Sequence, residues 1–398
     1  MPSLNDFRPE FDNAYQELFQ KTLVARDIMN TRFEPRLRYG ESVERVKFDI
    51  SEVQVRDVVR GAASTIDTIS DTPELLTINL EREAVFHISD GEVTQAGPLN
   101  PGEVIGGKIA HLVAQDLDYK CFSEVANAAN TFDTGDLTTL ASTGTAITLS
   151  STTVPQMVTR MPAKLRYQEN QEVSSNMALV VDSYAAADIE QYLLGKDIDI
   201  AGSVFKNGYA GVVRNAVLYV SENLQGEVNL VVDVATADET LSLFGVTFTA
   251  KAVPSVAGEF DIAGSVDAQG AILANAINGA ATGQDTATGY FEVSAADRAT
   301  LRNAQVSATY ADATDTLTIT AGGRIIYVDT LSGAVTNVLH AYYGKKGAID
   351  LVVQDMKEVD MRATDDRRGT NVFTHYLAGL KTFDDGSRKF LDVHILVA

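Results

Sequence analysis

Leu76-Thr77-Ile78-Asn79-Leu80-Glu81-Arg82-Glu83-Ala84-Val85-Phe86-His87-Ile88 is the stretch on which the reading of this chain turns. Apolar side chains occupy the even positions and polar ones the odd, with Arg82 and Val85 as the two exceptions. A period of two is that of a strand with one face on apolar partners and one in water. Upstream, Val43 to Val59 favours β-formers (Val46, Phe48, Ile50, Val53, Val55, Val59), and a turn-rich stretch, Gly61 to Pro73, separates the two runs. Together they predict a long β-hairpin. Such a hairpin is marginally stable on its own, so Leu76, Ile78, Leu80, Phe86 and Ile88 are candidate contacts with neighbouring subunits.

The flanks read differently. Residues 1–38 are polar and mixed, with helical spacing at Phe11, Tyr15, Leu18 and Phe19. Pro101 suits the first turn of a helix, and Ile105, Ile109, Leu112, Val113, Leu117, Cys121 and Val125 carry an apolar stripe to about Ala129. Gly106-Gly107 weakens that helix near its start and is its candidate hinge. Residues 131–153 read as a loop leading into a helix with Pro155 near its beginning. Met177 to Asp182 and Ala216 to Val220 read as strands, Ala185 to Leu194 as a helix, and Gly202 to Gly208 as turn-rich.

Between Gly226 and Gly333 the composition changes, with four basic residues against thirteen acidic ones. Four short strand runs (Val228 to Val234, Val246 to Ala250, Thr316 to Thr320, Arg324 to Val328) and two helices (Ala268 to Asn278, Ala295 to Asn303) suffice for a small α+β module. The earlier style then resumes, with strands at 348–353 and 390–396. Gly379 to Phe383 and the Asp384-Asp385-Gly386 turn are expected to form a closing hairpin with the last strand. The module therefore reads as inserted into a host domain.

The 398 residues carry 32 basic and 54 acidic side chains, a formal net charge of -22. Tight binders of nucleic acid concentrate Lys and Arg to displace counterions, so broad, tight DNA contact is not expected. One cysteine, Cys121, allows no intramolecular disulfide and reads as a buried small hydrophobe. The first residues have neither a basic n-region nor an apolar h-region, so no signal peptide is expected, and no run approaches a membrane span.

The sequence carries no recognisable catalytic constellation, and no enzyme, cofactor or metal is expected. The five histidines, at 87, 111, 340, 375 and 394, show no helical ligand spacing. No Gly-x-Ser-x-Gly elbow or complete phosphate loop occurs. Asp365-Asp366 beside Arg367-Arg368 reads as ion pairing on a loop or across a subunit contact.

The order of these parts resembles the major capsid proteins of tailed bacteriophages, with the Hong Kong 97-type fold. Residues 1–50 resemble the N-terminal arm and 51–97 the extended loop. Residues 98–180 with 348–398 resemble the peripheral domain and its spine helix, and 181–225 with 334–347 the axial domain, carrying 226–333 as an insertion. The run from Gly202 to Leu224 is similar to a glycine-rich segment common before an axial strand. The resemblance implies an α+β shell protein forming hexamers and pentamers in a virion assembled in the host cytoplasm. It also implies scaffolding, portal and decoration proteins as partners, packaged double-stranded DNA held by weak non-specific contact, and no membrane. No Lys lies between Lys47 and Lys108, so the isopeptide cross-link some members make from this loop is not expected. The alternatives are an encapsulin-type nanocompartment shell and a binding or adhesion module of a virion.

Overall fold

Alternation along 76–88 does produce extended backbone, but as two strands bound for different partners. In the computed structural model the break falls at Ile78-Asn79. The structure describes residues 24–35, 40–49, 53, 55–57, 67–89, 112–113, 115–169, 176–194, 209–213, 216–282, 289–331, 335–356, 360–363 and 369–397. Outside them lie the expected arm helix, the helix start at Pro101 with Ile105, Ile109 and the Gly106-Gly107 hinge, the Gly202–Gly208 segment, and the Asp365, Asp366, Arg367 and Arg368 cluster.

In chain order the first elements are β1 (Ser42–Asp49), β2 (Ser70–Thr77), β3 (Leu80–Ser89), β4 (Thr131–Phe132), α1 (Thr153–Glu169), β5 (Met177–Val181), α2 (Ser183–Leu194), β6 (Tyr209–Val213) and β7 (Ala216–Val220). Then come β8 (Gln225–Val231), β9 (Thr240–Leu243), β10 (Val246–Lys251), β11 (Glu259–Asp261), α3 (Val266–Thr282), α4 (Ala295–Asn303), β12 (Ser307–Ala311), β13 (Thr316–Gly322) and β14 (Tyr327–Asp329). The last five strands are β15 (Val335–Lys345), β16 (Asp350–Met356), β17 (Asp360–Ala363), β18 (Gly369–Lys381) and β19 (Phe390–Leu396). The chain is α+β, in two compact units.

The first unit holds β1–β3 and β16–β18. β1 and β2 form a two-stranded antiparallel ribbon, from Ser42 opposite Thr77 to Asp49 opposite Ser70. β3 does not extend this ribbon. It pairs along β18, from Leu80 opposite Ala378 to Ser89 opposite Gly369, while β16 and β17 follow one another along the other edge of β18. The expected hairpin over 51–92 is thereby corrected: its second limb is β2 alone. Gly379 sits where a Cβ would come within 2.8 Å of the Thr77 carbonyl oxygen, so only glycine lets β18 pass beneath the ribbon's end. Leu76 and Ile78 pack with Phe33, Val352 and Phe383 in a small core.

The second unit is organised on β15. β8 and then β5 pair along one edge of that strand and β19 along the other. The resulting nine-stranded sheet runs β12-β13-β8-β15-β5-β7-β6, with β19 and β4 branching from β15. A four-stranded sheet, β11-β10-β9-β14, lies within residues 240–329. Residues 228–331 supply a core of their own, with Phe248, Phe260, Leu273, Ile277, Leu317 and Ile319 among its buried members.

Two further expectations are corrected. β18 and β19 do not form a closing hairpin: β18 pairs with β3 and β16, and β19 with β15. Asp384–Ser387 is instead one helical turn. The helix expected to reach Ala129 is regular over 115–123 and tightens into a 3-10 turn at Glu124–Asn127. Leu117, Cys121 and Val125 on its stripe are fully buried. The stretch read as loop before α1 contains β4 and a 3-10 turn, Thr134–Leu137.

Candidate assembly surface and a buried histidine cluster

Directly opposed residues of an antiparallel pair share a face, so the β1–β2 register sorts the ribbon into two sides. One side carries Val43, Arg45 and Lys47 opposite Leu76, Glu74 and Thr72. It is turned onto its own unit. Arg45 reaches Asp385 at 2.7 Å and Lys47 reaches Asp384 at 2.7 Å. The Arg45 guanidinium stacks over the Phe383 ring, 5.1 Å from its centroid, and the Glu74 carboxylate accepts the Asp384 backbone N–H at 3.1 Å. The acidic turn read in the sequence as a reversal is thus the anchor of the ribbon.

The opposite side is open. It carries Val46 opposite Pro73 and Glu44 opposite Leu75, with Val46 46% and Leu75 51% exposed. Beyond the strands, Val53, Val55 and Ile69 continue the exposed apolar surface. Arg56 ties the limbs there: its two terminal nitrogens donate to both carboxylate oxygens of Asp67, at 3.0 and 2.6 Å. Such a forked pair fixes direction as well as distance. The ribbon is therefore held at base and tip while one apolar side has no cover among the described residues.

This geometry relocates the sequence-derived contact candidates. Leu76 and Ile78 are 0% and 8% exposed; their own chain already covers them, so they are corrected from subunit contacts to core. Leu80 is half-buried in β3, and Phe86 and Ile88 lie in β3 opposite Val372 and Thr370. The exposed neighbours Val46 and Leu75 were not singled out. The second unit has its own exposed apolar edge at Tyr184, Ile326 and Val328, lining a cleft with Arg324 and Leu396.

Strand pairing also assembles a group that sequence spacing did not reveal. Asp392 and His394 lie two apart on β19, His340 is directly opposite His394 on β15, and Glu227 on β8 is opposite Val338. Oδ2 of Asp392 lies 2.8 Å from Nδ1 of His340 and 3.0 Å from Nε2 of His394. The rings meet edge to face at 5.0 Å, and a Glu227 oxygen lies 3.4 Å from Nε2 of His340. Burial opposes a charge on His340, yet the hydrogen bond with Asp392 and the adjacent Glu227 carboxylate outweigh it and push its pKa up to about 10. Asp392 is held below the usual carboxylate range: burial works against its charge, and the two histidines more than compensate. The signal available in the sequence was Asp-x-His on a strand, with a second histidine on another strand.

Among the described residues no helix is long and apolar enough to cross a membrane. No protein-family model matches the chain, and no curated protein matches it. Solved structures are similar over most of its length at low identity. One from Mycobacterium phage Che8 is 13% identical, with a TM-score of 0.45, over 94% of this chain and 90% of that one. The capsid of Cyanophage P-SCSP1u is 10% identical, with a TM-score of 0.47, over 94% and 88%. A virus-like particle from Pyrococcus furiosus is 8% identical, with a TM-score of 0.40, over 98% and 99%.

Proposed function

We propose that this chain is the major capsid protein of a tailed bacteriophage, with the Hong Kong 97-type fold, which self-assembles into an icosahedral head around double-stranded DNA. The observation that carries this reading is the two-sided ribbon. One side is clamped to its own unit by Arg45, Lys47 and Glu74, and the other presents Val46, Pro73 and Leu75 to something outside the chain. The occupant is a second copy of the same chain. Laying the open side on a neighbour removes apolar area from water at ~25 cal/mol per Å², before the cost of ordering the partners.

The order of parts supports the same reading: arm, ribbon, helix, axial strands and a returning C-terminal strand. Residues 226–333 are proposed as an inserted domain, supported by a core drawn from 228–331 alone. Gly106 and Gly107 remain the proposed hinge, and Asp365 to Arg368 the proposed inter-subunit ion pairs. Catalysis is not assigned. Scaffolding, portal and decoration proteins are the proposed partners, with DNA held weakly because the chain carries a net charge of -22.

Electron microscopy of the purified full chain tests the proposal. Closed shells, or rings of hexameric and pentameric outline, are expected as concentration rises. A uniform monomer at every concentration and ionic strength, with or without a co-expressed scaffold, would sink it.

A further inference from the structure

We propose that His340, Asp392 and His394 bind one divalent transition-metal ion, zinc(II) by preference, with Glu227 orienting His340 from its far side. Two imidazoles and a carboxylate form a donor set that zinc takes, with a fourth position left to water. Their ligand atoms lie within 4.8 Å of one another. Bond lengths of ~2.0–2.1 Å to zinc place neighbouring donors about 3.3 Å apart in a tetrahedron. The separations of 2.8 and 3.0 Å to the carboxylate need to open by a few tenths of an ångström, and the two imidazole nitrogens, which lie within 4.8 Å of each other, close onto the ion by small turns of the rings.

The hydrogen bonding of the cluster is lopsided in a way that favours a ligand. Both rings converge on Oδ2 of Asp392, while Oδ1, buried, has no hydrogen-bond partner. A buried orphan acceptor is costly, so Oδ1 is open to a further partner. Asp392 is 2% exposed, so water does not satisfy it from the surface. An ion between the rings and the carboxylate engages the atoms that now compete for one oxygen.

The far side of His340 fits the same assignment. Coordination through Nδ1 leaves Nε2–H directed at Glu227, now 3.4 Å away without hydrogen-bond geometry. A carboxylate behind a metal-bound imidazole fixes its tautomer and raises its basicity. Half-buried His394 and Glu227 leave an entry path on that flank. Binding displaces the proton that His340 shares with Asp392, so zinc affinity should fall as pH is lowered. Structurally, the ion would staple β19 to β15 near the end of the chain.

The test uses the full-length chain, stripped with a chelator, exposed to zinc(II) alone and passed through gel filtration. One zinc per chain is expected to remain and to raise the melting temperature. Cobalt(II) in its place should give the intense visible absorption of a four-coordinate site. His394→Gln, at a half-buried position whose folding is checked by circular dichroism, should lose the retained metal. The near-isosteric Asp392→Asn is the second variant should the first misfold. Glu227→Gln should keep the stoichiometry and weaken affinity about 10–100-fold. No retained zinc, or equal retention by His394→Gln, would leave the cluster as a proton-sharing hydrogen-bond network and overturn the assignment.

Discussion

Lys164 organises a stretch that its own sequence leaves shapeless. Residues 131–145 are rich in Thr, Ser and Gly, yet the fully buried ammonium of Lys164 reaches from α1 to Asp136 at 2.6 Å, to Ser142 at 2.7 Å and to the Thr131 carbonyl. Asp133 closes the loop, accepting Gly135 N–H at 2.9 Å and Thr143 N–H at 2.6 Å. Removing one partner of such a pair strands the other charge in the interior, at a cost of about 3–5 kcal/mol. Lys164→Met is therefore expected to lower the urea midpoint by that equivalent, measured by tryptophan-independent far-UV dichroism since the chain has no Trp. Asp118 makes a second case. Burial raises its pKa to about 7 despite bonds from the Ala25 and Val24 amides. The folded chain thus holds a proton that the unfolded chain has released, and this group's stabilisation is full below pH ~4 and lost as pH rises through about 7. Asp118→Asn, whose carbonyl still accepts from Ala25, should flatten the fall in unfolding free energy across that window.

At the scale of elements, the ribbon separates what a sequence encodes from what it leaves open. The even-position alternation of 76–88 correctly gave the covered side: Leu76 and Ile78 are buried, while Asn79, Glu81, Glu83 and Val85 are exposed. It did not say what does the covering, because a period of two records that a face is buried and not by whom. The cover comes from Val352 and Phe383 and from pairing with β18, nearly three hundred residues away. The same limit hid the histidine cluster, whose members meet only through the β15–β19 register. In the 226–333 region both helices and strands β8, β10 and β13 were legible because their periodicity is local, whereas the short strands β9, β11 and β12 were not singled out; the closing hairpin was not legible either, since β18 and β19 each pair with distant strands. The ribbon also yields a test. Asp49 and Ser70 are directly opposed, so residues 50–69 can be replaced by Asn-Gly, a turn suited to a two-residue hairpin. The shortened chain is expected to melt within a few degrees of the parent while forming no closed shells by sedimentation and microscopy. Normal shells from this variant would show that the tip, with Val53, Val55 and Ile69, is not a contact.

For the whole molecule, charge sets a condition on any assembly of identical copies. Each copy carries a net charge of -22, so bringing many together costs repulsion that grows with every subunit added, whereas the open face of the ribbon offers mainly apolar area. Salt separates these contributions. The Debye length shortens from ~10 Å at 0.1 M to ~3 Å at 1 M, screening repulsion between copies and leaving apolar burial intact. The Arg45–Asp385 and Lys47–Asp384 clamps are partly exposed and individually contribute ~0–1 kcal/mol, so their weakening within a copy is a smaller effect. The concentration at which shells first appear is therefore expected to fall as sodium chloride is raised from ~0.05 to ~0.5 M, read by light scattering and confirmed by microscopy. A threshold that instead rises throughout that range would mean that copies are joined chiefly by ion pairs, and the contact would have to be sought among charged side chains away from Val46, Pro73 and Leu75.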